Sequence, residues 1–188
     1  MNLREIETLT IEYGEGWGIS HVRRLLNLIE QIGSDMAYDR QAVQYAAYLH
    51  DWGAFPRYKL LGVDHALRSH EIAETEILPR TGLPVAVKSV ILEAITKHDY
   101  RCMEPVASVE ALLLREADFL DFLGVVGIAR EFAWGPNNLQ KCYDRILSRV
   151  AGVRGRFTIP AAQTLASQRI ADMEPFLARL VEESQGNL

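Results

Sequence analysis

Cysteine is scarce in this chain, which has only Cys102 and Cys142 among its 188 residues. The two lie far apart, without the close spacing of metal-binding cysteine pairs, and a disulfide framework needs more cysteines than this. We therefore expect two reduced thiols that form neither a disulfide bridge nor part of a metal site.

Long hydrophobic runs and an excess of positive charge are also missing. No stretch reaches the roughly 20 apolar residues that cross a bilayer, and the first residues, MNLREIETLTIEYGEGWG, do not read as a secretory signal. The net charge of -5 comes from interspersed charges, which disfavours nucleic acid polymers and anionic membranes as partners. We expect a cytoplasmic protein with a small partner, and the sequence leaves a homo-oligomer open.

Alternating strand patterns are almost absent, while helical periodicity runs through the chain. A hydrophobic content of 48% over this length supports one domain with a real core, so we predict a single all-α domain over residues 1–188. Its core is expected at about 18–132, with helices in 139–183 packing on it. The predicted helices cover residues 20–32 with Ser20 as cap, 40–50, 65–78 with Asp64 as cap, 84–98, 108–123, a segment ending at 135–136, 139–150 and 161–183.

Histidine is concentrated in one part of the sequence, since all five residues fall within 21–98. Four of them, with two aspartates, are spread over several predicted helices. Imidazole and carboxylate groups from separate helices are what a metal site in a helical protein requires, because one segment cannot surround a cation. This pattern predicts a site for one or two metal ions, formed by His21, His50, Asp51, His65, His98 and Asp118.

Helical periodicity places several of these side chains on inward faces. His50 lies at the centre of the apolar arc of its helix, and His21 and His98 share stripes with leucine, isoleucine and valine. Asp118 lies one turn from Leu114 and one turn from Phe122. A buried carboxylate without a partner costs several kcal/mol or takes up a proton, and a bound cation would remove that cost.

Each residue also has a structural interpretation. A single inward histidine such as His21 is more often a hydrogen-bonded core residue, and a His-Asp pair at a helix end can simply interact with the helix dipole. Asp118 could pair with Arg115 or Arg24. The combination of several inward polar groups in four helices favours the metal site, because structural roles would require separate coincidences.

These segments together resemble the HD-domain superfamily of metal-dependent phosphohydrolases, whose signature is a histidine, a later His-Asp pair and a distant aspartate. The resemblance spans about residues 18–132, and the closing helix TIPAAQTLASQRIADMEPFLARLVEE is similar to that of small bacterial members. The matching segments are GISHVRRLLNL, AAYLHDWG, DHALRSHEIAETEIL, AITKHDY and LLLREADFLDFLGVVGIAREF.

The resemblance implies an HD-domain-like helical bundle that holds a divalent metal through His21, His50, Asp51 and Asp118. In two-metal branches His65 and His98 join, and Asp51 bridges. Within the same pattern, His70 is expected to pack or to support a ligand, and Asp121 to support or cap rather than bind metal.

The chain also departs from its relatives. Ala54 stands where many members carry a lysine or, in the 5'-deoxynucleotidase-like group, a glutamate. The Gly-Tyr-Pro motif of the cyclic-diguanylate phosphodiesterases is absent, which disfavours that substrate. These departures leave the exact substrate open.

The resulting hypothesis is hydrolysis of a nucleotide or another small phosphorylated metabolite by a metal-activated water, with Mn, Fe, Co, Ni or Mg as one or two ions. The residues assigned to catalysis are Asp51, with Arg24 and Lys97 as phosphate contacts. Further candidates are Arg57 and Lys59 for phosphate and Asp64, Asp99 and Asp121 for proton transfer. Two alternatives stay open: a di-iron oxygenase of the same superfamily, and a non-catalytic module that binds metal or nucleotide.

Overall fold

Every regular element of the protein is helical in the computed structural model, which describes all 188 residues. The prediction of an all-α protein is confirmed. Short 3-10 segments at Trp52–Ala54 and Leu78–Arg80 and a π-helical segment at Ala73–Ile77 complete the structure. The α-helices are α1 (Leu3–Tyr13), α2 (Trp17–Ile32), α3 (Arg40–Leu49), α4 (His65–Ile72), α5 (Val85–Lys97), α6 (Val109–Asp121), α7 (Gly124–Trp134), α8 (Leu139–Val153) and α9 (Pro160–Glu183).

The chain divides into two compact units, Met1–Ala117 and Asp118–Leu188. The first contains α1 to α5 and most of α6, and the second contains the end of α6 with α7, α8 and α9. Whether the whole chain folds as one domain stays a prediction. None of its helices combines the length and apolar character that a membrane crossing needs.

Helix α3 is central to the first unit, where it contacts α1, α2 and α5. Its small inward residues allow this close packing, since alanine adds little bulk between neighbouring helices. Leu25 and Ile29 of α2 and Ile91 and Ile95 of α5 are also buried. The inward face predicted around His50 is confirmed, because Ala42, Val43, Ala46 and Ala47 are all buried.

Two helix starts differ from the sequence-based predictions. Helix α2 begins at Trp17 after Gly16, whose φ is 78°, so Ser20 lies inside the first turns; its hydroxyl donates to the Gly16 carbonyl at 3.0 Å instead of capping. Helix α1 was not predicted at all. Its signal is a capping box, in which the Asn2 side chain accepts from the Glu5 amide and the Glu5 carboxylate accepts from the Asn2 amide.

The helix predicted over 65–78 is shorter and changes its winding. Asp64 caps α4 as expected, with its carboxylate accepting from the Ala66 and Leu67 amides. The α-helical pattern ends at Ile72 and continues as the π-helical and 3-10 segments. Apolar periodicity alone does not distinguish these windings, because the buried Ala73, Ile77 and Leu78 continue the same face.

A close backbone approach connects the end of α3 to α4. Gly53 packs so tightly that a Cβ atom there would lie 2.8 Å from the Ser69 amide nitrogen and 2.8 Å from the Arg68 Cβ. The Gly53 amide donates to the Ser69 hydroxyl at 2.8 Å, which satisfies this buried backbone group. Residues 51–54 are therefore held directly against the helix that begins with His65.

Two buried acidic side chains form ion pairs within the second unit. Glu131 of α7 pairs with Arg145 and Arg149 of α8, and Asp121 pairs with Arg130 of α7. Both acidic side chains are almost completely buried, so their charge requires these partners. These ion pairs join the end of α6 and helix α8 to α7.

Candidate metal centre

The His50-Asp51 pair follows directly from the end of α3. His50 is fully buried, and its Nδ1 lies 2.8 Å from the Ala47 carbonyl oxygen. A carbonyl oxygen only accepts, so Nδ1 must donate and Nε2 of the neutral ring carries the lone pair. This backbone contact therefore leaves the lone pair of Nε2 of His50 able to bind a metal ion.

His21 of α2 completes a first group of ligand atoms with this pair. Its Nε2 lies 3.2 Å from Nε2 of His50 and 3.6 Å from Oδ2 of Asp51. Nε2 of His50 lies 3.4 Å from the same Oδ2. These three residues can hold one metal ion between them, because one ligand atom from each lies within 4.8 Å of the others.

His65 and His98 form a second group with the same aspartate. Their Nε2 atoms are 3.2 Å apart, and they lie 3.4 Å and 3.8 Å from Oδ1 of Asp51, respectively. His98 is oriented like His50, because its Nδ1 donates to the Ile95 carbonyl at 2.6 Å. One ligand atom from each residue of this group also lies within 4.8 Å of the others, so Asp51, His65 and His98 can hold an ion as well.

Asp51 is the shared element of the two groups, with Oδ2 toward His21 and His50 and Oδ1 toward His65 and His98. Burial by itself would raise the pKa of Asp51, but the imidazoles of His50, His65 and His21, when they are protonated and positively charged, lower this pKa well below its usual range. The side chain is therefore an ionised carboxylate at neutral pH. Four imidazoles around one carboxylate fit divalent transition metals such as Mn, Fe, Co or Ni.

A charged cluster adjoins the second group. Asp99 Oδ2 lies 3.6 Å from Nε2 of His65, and both oxygens of Asp99 accept from the Arg101 guanidinium at 2.8 Å. Burial raises the pKa of Asp99, but the hydrogen bonds from Arg101 lower it below its usual range. Arg101 was not singled out from the sequence, although a basic residue three positions after His98 was a visible signal.

The structure also gives the positions of the four cationic candidates. The Lys97 ammonium donates to the Pro105 carbonyl at 2.7 Å and pairs with Glu93 at 3.4 Å. Arg24 is half-buried on α2, whereas Lys59 is exposed. The exposed Arg57 lies over the Tyr13 ring, 4.5 Å from its centroid. Their roles as phosphate contacts stay predictions.

The acidic candidates and His70 also have defined positions. Asp64 caps α4, and Asp121 pairs with Arg130 within the second unit. His70 bonds to the Thr96 hydroxyl at 2.7 Å through Nδ1 and lies 3.7 Å from the Glu74 carboxylate through Nε2. Asp118 is buried on α6, and its role as a ligand stays a prediction.

The sequence matches the HD domain over residues 18–123, which is more than half of the chain. The protein therefore belongs to the HD-domain family, as the resemblance predicted.

Solved structures share this fold. An HD superfamily hydrolase from an uncultured Thermotogales bacterium, whose function is itself predicted, is 28% identical, with a TM-score of 0.68 and coverage of 96% of this chain and 91% of that one. Bacillus subtilis YpgQ in complex with ADP is 23% identical, with a TM-score of 0.72 and coverage of 96% and 94%. An HD-superfamily hydrolase from Bacillus thuringiensis is 22% identical, with a TM-score of 0.64 and coverage of 98% and 97%. The search of curated proteins found no match to the sequence.

Proposed function

We propose that this protein is a metal-dependent phosphohydrolase that acts on a nucleotide or another small phosphorylated metabolite. The observation that carries the proposal is the position of Asp51, whose two oxygens each face a different pair of histidine nitrogens. A carboxylate in this position can bridge two cations, an arrangement that suits cleavage of phosphate esters. We also assign Asp118 to the ligands, on the basis of the family resemblance alone.

The protein's own residues would contribute to this reaction by orienting ligand atoms and by accepting a proton. The Ala47 and Ile95 carbonyls fix the rings of His50 and His98, so that their ligand atoms are oriented before any ion arrives. Asp99 stays ionised beside His65, which makes it a candidate to accept a proton rather than to donate one. Bound divalent ions would lower the pKa of a water molecule and offset charge on the phosphoryl oxygens.

Nucleotides are the first substrate class to test. YpgQ, which has the same fold, was crystallised with ADP. Arg24 and Lys97 are our candidates for contacts to phosphate, and Arg57 and Lys59 are further cations in the same unit. The guanidinium of an arginine can bond two phosphate oxygens at once, whereas a lysine acts as a point charge.

The test begins with metal analysis of the purified protein. The metal-loaded enzyme is then assayed for release of inorganic phosphate or pyrophosphate across nucleoside mono-, di- and triphosphates, sugar phosphates and phosphodiesters, with added Mn²⁺, Co²⁺ or Mg²⁺. Asp51→Asn is the matched control, because it keeps the size of the side chain and removes its charge.

We expect metal-dependent turnover of at least one class of phosphorylated compound and loss of this turnover in Asp51→Asn. Turnover at the same rate in Asp51→Asn would show that this site does not carry the activity. Tight nucleotide binding without turnover across the panel would instead support the non-catalytic module, and oxygen uptake by the iron-loaded, reduced protein would support the oxygenase.

A further inference from the structure

His65 differs from His98, the other histidine of the second group, in what faces its Nδ1 atom. Nδ1 of His98 faces a carbonyl oxygen, but Nδ1 of His65 lies 3.2 Å from NH2 of Arg101. A guanidinium has only donors, so Nδ1 of His65 must accept this hydrogen bond. In the neutral ring the proton is then on Nε2, the atom that would have to bind a metal.

The surroundings of Nε2 are consistent with this tautomer. Nε2 of His98 carries a lone pair, because its Nδ1 donates to the Ile95 carbonyl. The Nε2–H of His65 can therefore donate across the 3.2 Å separation to Nε2 of His98. In this arrangement the two histidines of the second group are hydrogen-bonded to each other.

Two carboxylates hold Arg101 in the position that imposes this tautomer. Its guanidinium makes two hydrogen bonds to Asp99, at 2.8 Å each, and lies 3.4 Å from the Asp64 carboxylate. The Arg101 amide also donates to Asp99, at 2.7 Å. The two carboxylates offset the positive charge of Arg101 and keep its guanidinium adjacent to His65.

We infer that Arg101 is a positioning residue that keeps His65 from binding metal, which makes the two metal sites unequal. This inference rests on the metal centre of the proposed function. The group of His21, His50 and Asp51 binds the first ion, and the group of Asp51, His65 and His98 binds a second ion only after Arg101 moves away from Nδ1 of His65.

Asp64 supplies the alternative partner that this change needs. Its Oδ2 lies 4.0 Å from Nδ1 of His65, within reach of a small rotation of either side chain. Once Arg101 has withdrawn, Nδ1 can carry the proton and donate to Asp64, which leaves the lone pair on Nε2. Histidines that bind metals commonly donate their other ring nitrogen to a carboxylate in this way.

The first experiment reads the tautomer directly in metal-free protein. Two-bond nitrogen–proton correlation spectra of ¹⁵N-histidine-labelled protein are recorded above the ordinary histidine pKa of about 6.5, with His65→Gln used to assign its signals. We expect His65 to carry its proton on Nε2 in the parent protein and on Nδ1 in Arg101→Met. A proton on Nδ1 in the parent protein would overturn the inference without touching the proposed function.

The second experiment measures Mn²⁺ binding by calorimetry in the parent protein, Arg101→Met and Arg40→Met. Arg40 is an exposed arginine of α3 that pairs with Glu30 at 3.5 Å, so it is a matched control for loss of a surface charge. We expect two binding steps in the parent protein. Only Arg101→Met should tighten the second step, by roughly tenfold, the lower end of what changes around a metal ligand produce.

The titration is repeated at high salt to distinguish the effect of the lost Arg101 charge from the effect of the His65 tautomer. Salt screens the effect of removing an exposed charge, but it does not change which ring nitrogen carries the proton. The inference would be overturned if the gain in affinity of Arg101→Met for the second Mn²⁺ ion disappeared at high salt, or if this affinity did not change at all. Binding of the first ion would be unaffected in both cases. Failure of the parent protein to bind Mn²⁺ at all would instead contradict the proposed function, and the His65 spectra would still report on the tautomer.

Discussion

The ring of His98 lies edge-on against the ring of His50, with centroids 4.7 Å apart and an angle of 84° between the ring planes. The two rings belong to different groups of ligand atoms, so their contact connects the two candidate metal sites directly. Each ring is also fixed by a backbone carbonyl. Movement of either ring would therefore alter both sites.

Removal of the His50-Asp51 pair should abolish metal binding. We expect His50→Ala and Asp51→Ala to lose bound metal and to reduce hydrolysis by more than the roughly 100-fold that loss of a residue supporting a metal ligand costs. Metal content by atomic emission and initial rates check this. Circular dichroism should show an unchanged helical content, and full metal occupancy in the Asp51 variant would contradict the assignment.

The second group is tested by His65→Ala and His98→Ala. Each variant removes one imidazole that only this group contains, so stoichiometry should fall from two ions toward one and the rate should fall with it. His70→Ala is the control, since His70 contacts Thr96 and Glu74 instead. If both variants still bound two ions with the affinity of the parent protein, His65 and His98 would not be metal ligands.

Asp118→Asn tests the ligand that the family resemblance assigns to α6. The change keeps the size of the side chain but removes its negative charge, so metal affinity should fall sharply. The melting temperature in excess metal should fall too, because less binding means less stabilisation by mass action. Calorimetry and thermal unfolding check both effects. A large loss of stability in metal-free protein, with unchanged metal affinity, would identify a structural ion-pair residue.

Gly53→Ala should disturb the second group from outside it. The new Cβ would meet the His65 carbonyl oxygen as well as the Ser69 amide nitrogen, so α4 must shift to make room. We expect a loss of about 1–3 kcal/mol in stability and weaker binding of the second ion. Urea unfolding and Mn²⁺ titration measure these. Gly82→Ala is the control, since a Cβ there meets nothing within 4 Å; equal behaviour of the two variants would contradict the prediction.

Glu93 provides a pH-dependent contribution away from the metal ligands. Its carboxylate accepts from the Ala107 amide at 2.7 Å, the Ser108 amide at 3.1 Å and the Ser108 hydroxyl at 2.8 Å, and it pairs with Lys97. Burial raises the pKa of Glu93, but these bonds lower it below its ordinary value overall. The stabilisation is therefore present above the unfolded pKa of about 4.3 and is lost as the pH falls through the lower folded pKa.

Glu93→Gln should accordingly destabilise the protein at neutral pH by about 2 kcal/mol, because hydrogen bonds to charged groups contribute ~1.5–3 kcal/mol. The difference from the parent protein should shrink as the pH falls below about 4. Urea unfolding across this range measures it. The exposed Glu12→Gln is the control, and a difference that grew on acidification would contradict the sign of the pKa change.

Much of the fold was accessible from local sequence patterns. Apolar spacing and the capping residue Asp64 predicted most helices, because these signals depend on neighbouring residues alone. The same reasoning misplaced the start of α2 at Ser20, since that side chain bonds back to Gly16. It also missed α1, although the spacing of Asn2 and Glu5 is a recognisable capping signal.

The sequence by itself determined the chemistry available to this protein, namely which residues can bind a metal and which helices present them inward. Tertiary structure decided how those residues combine. Periodicity gives the direction of a side chain on its own helix, but distances between helices depend on packing, so only the folded chain divides four histidines between the two oxygens of Asp51. The contact of Arg101 with His65 likewise arises from the packing of separate segments, and no local pattern specifies it.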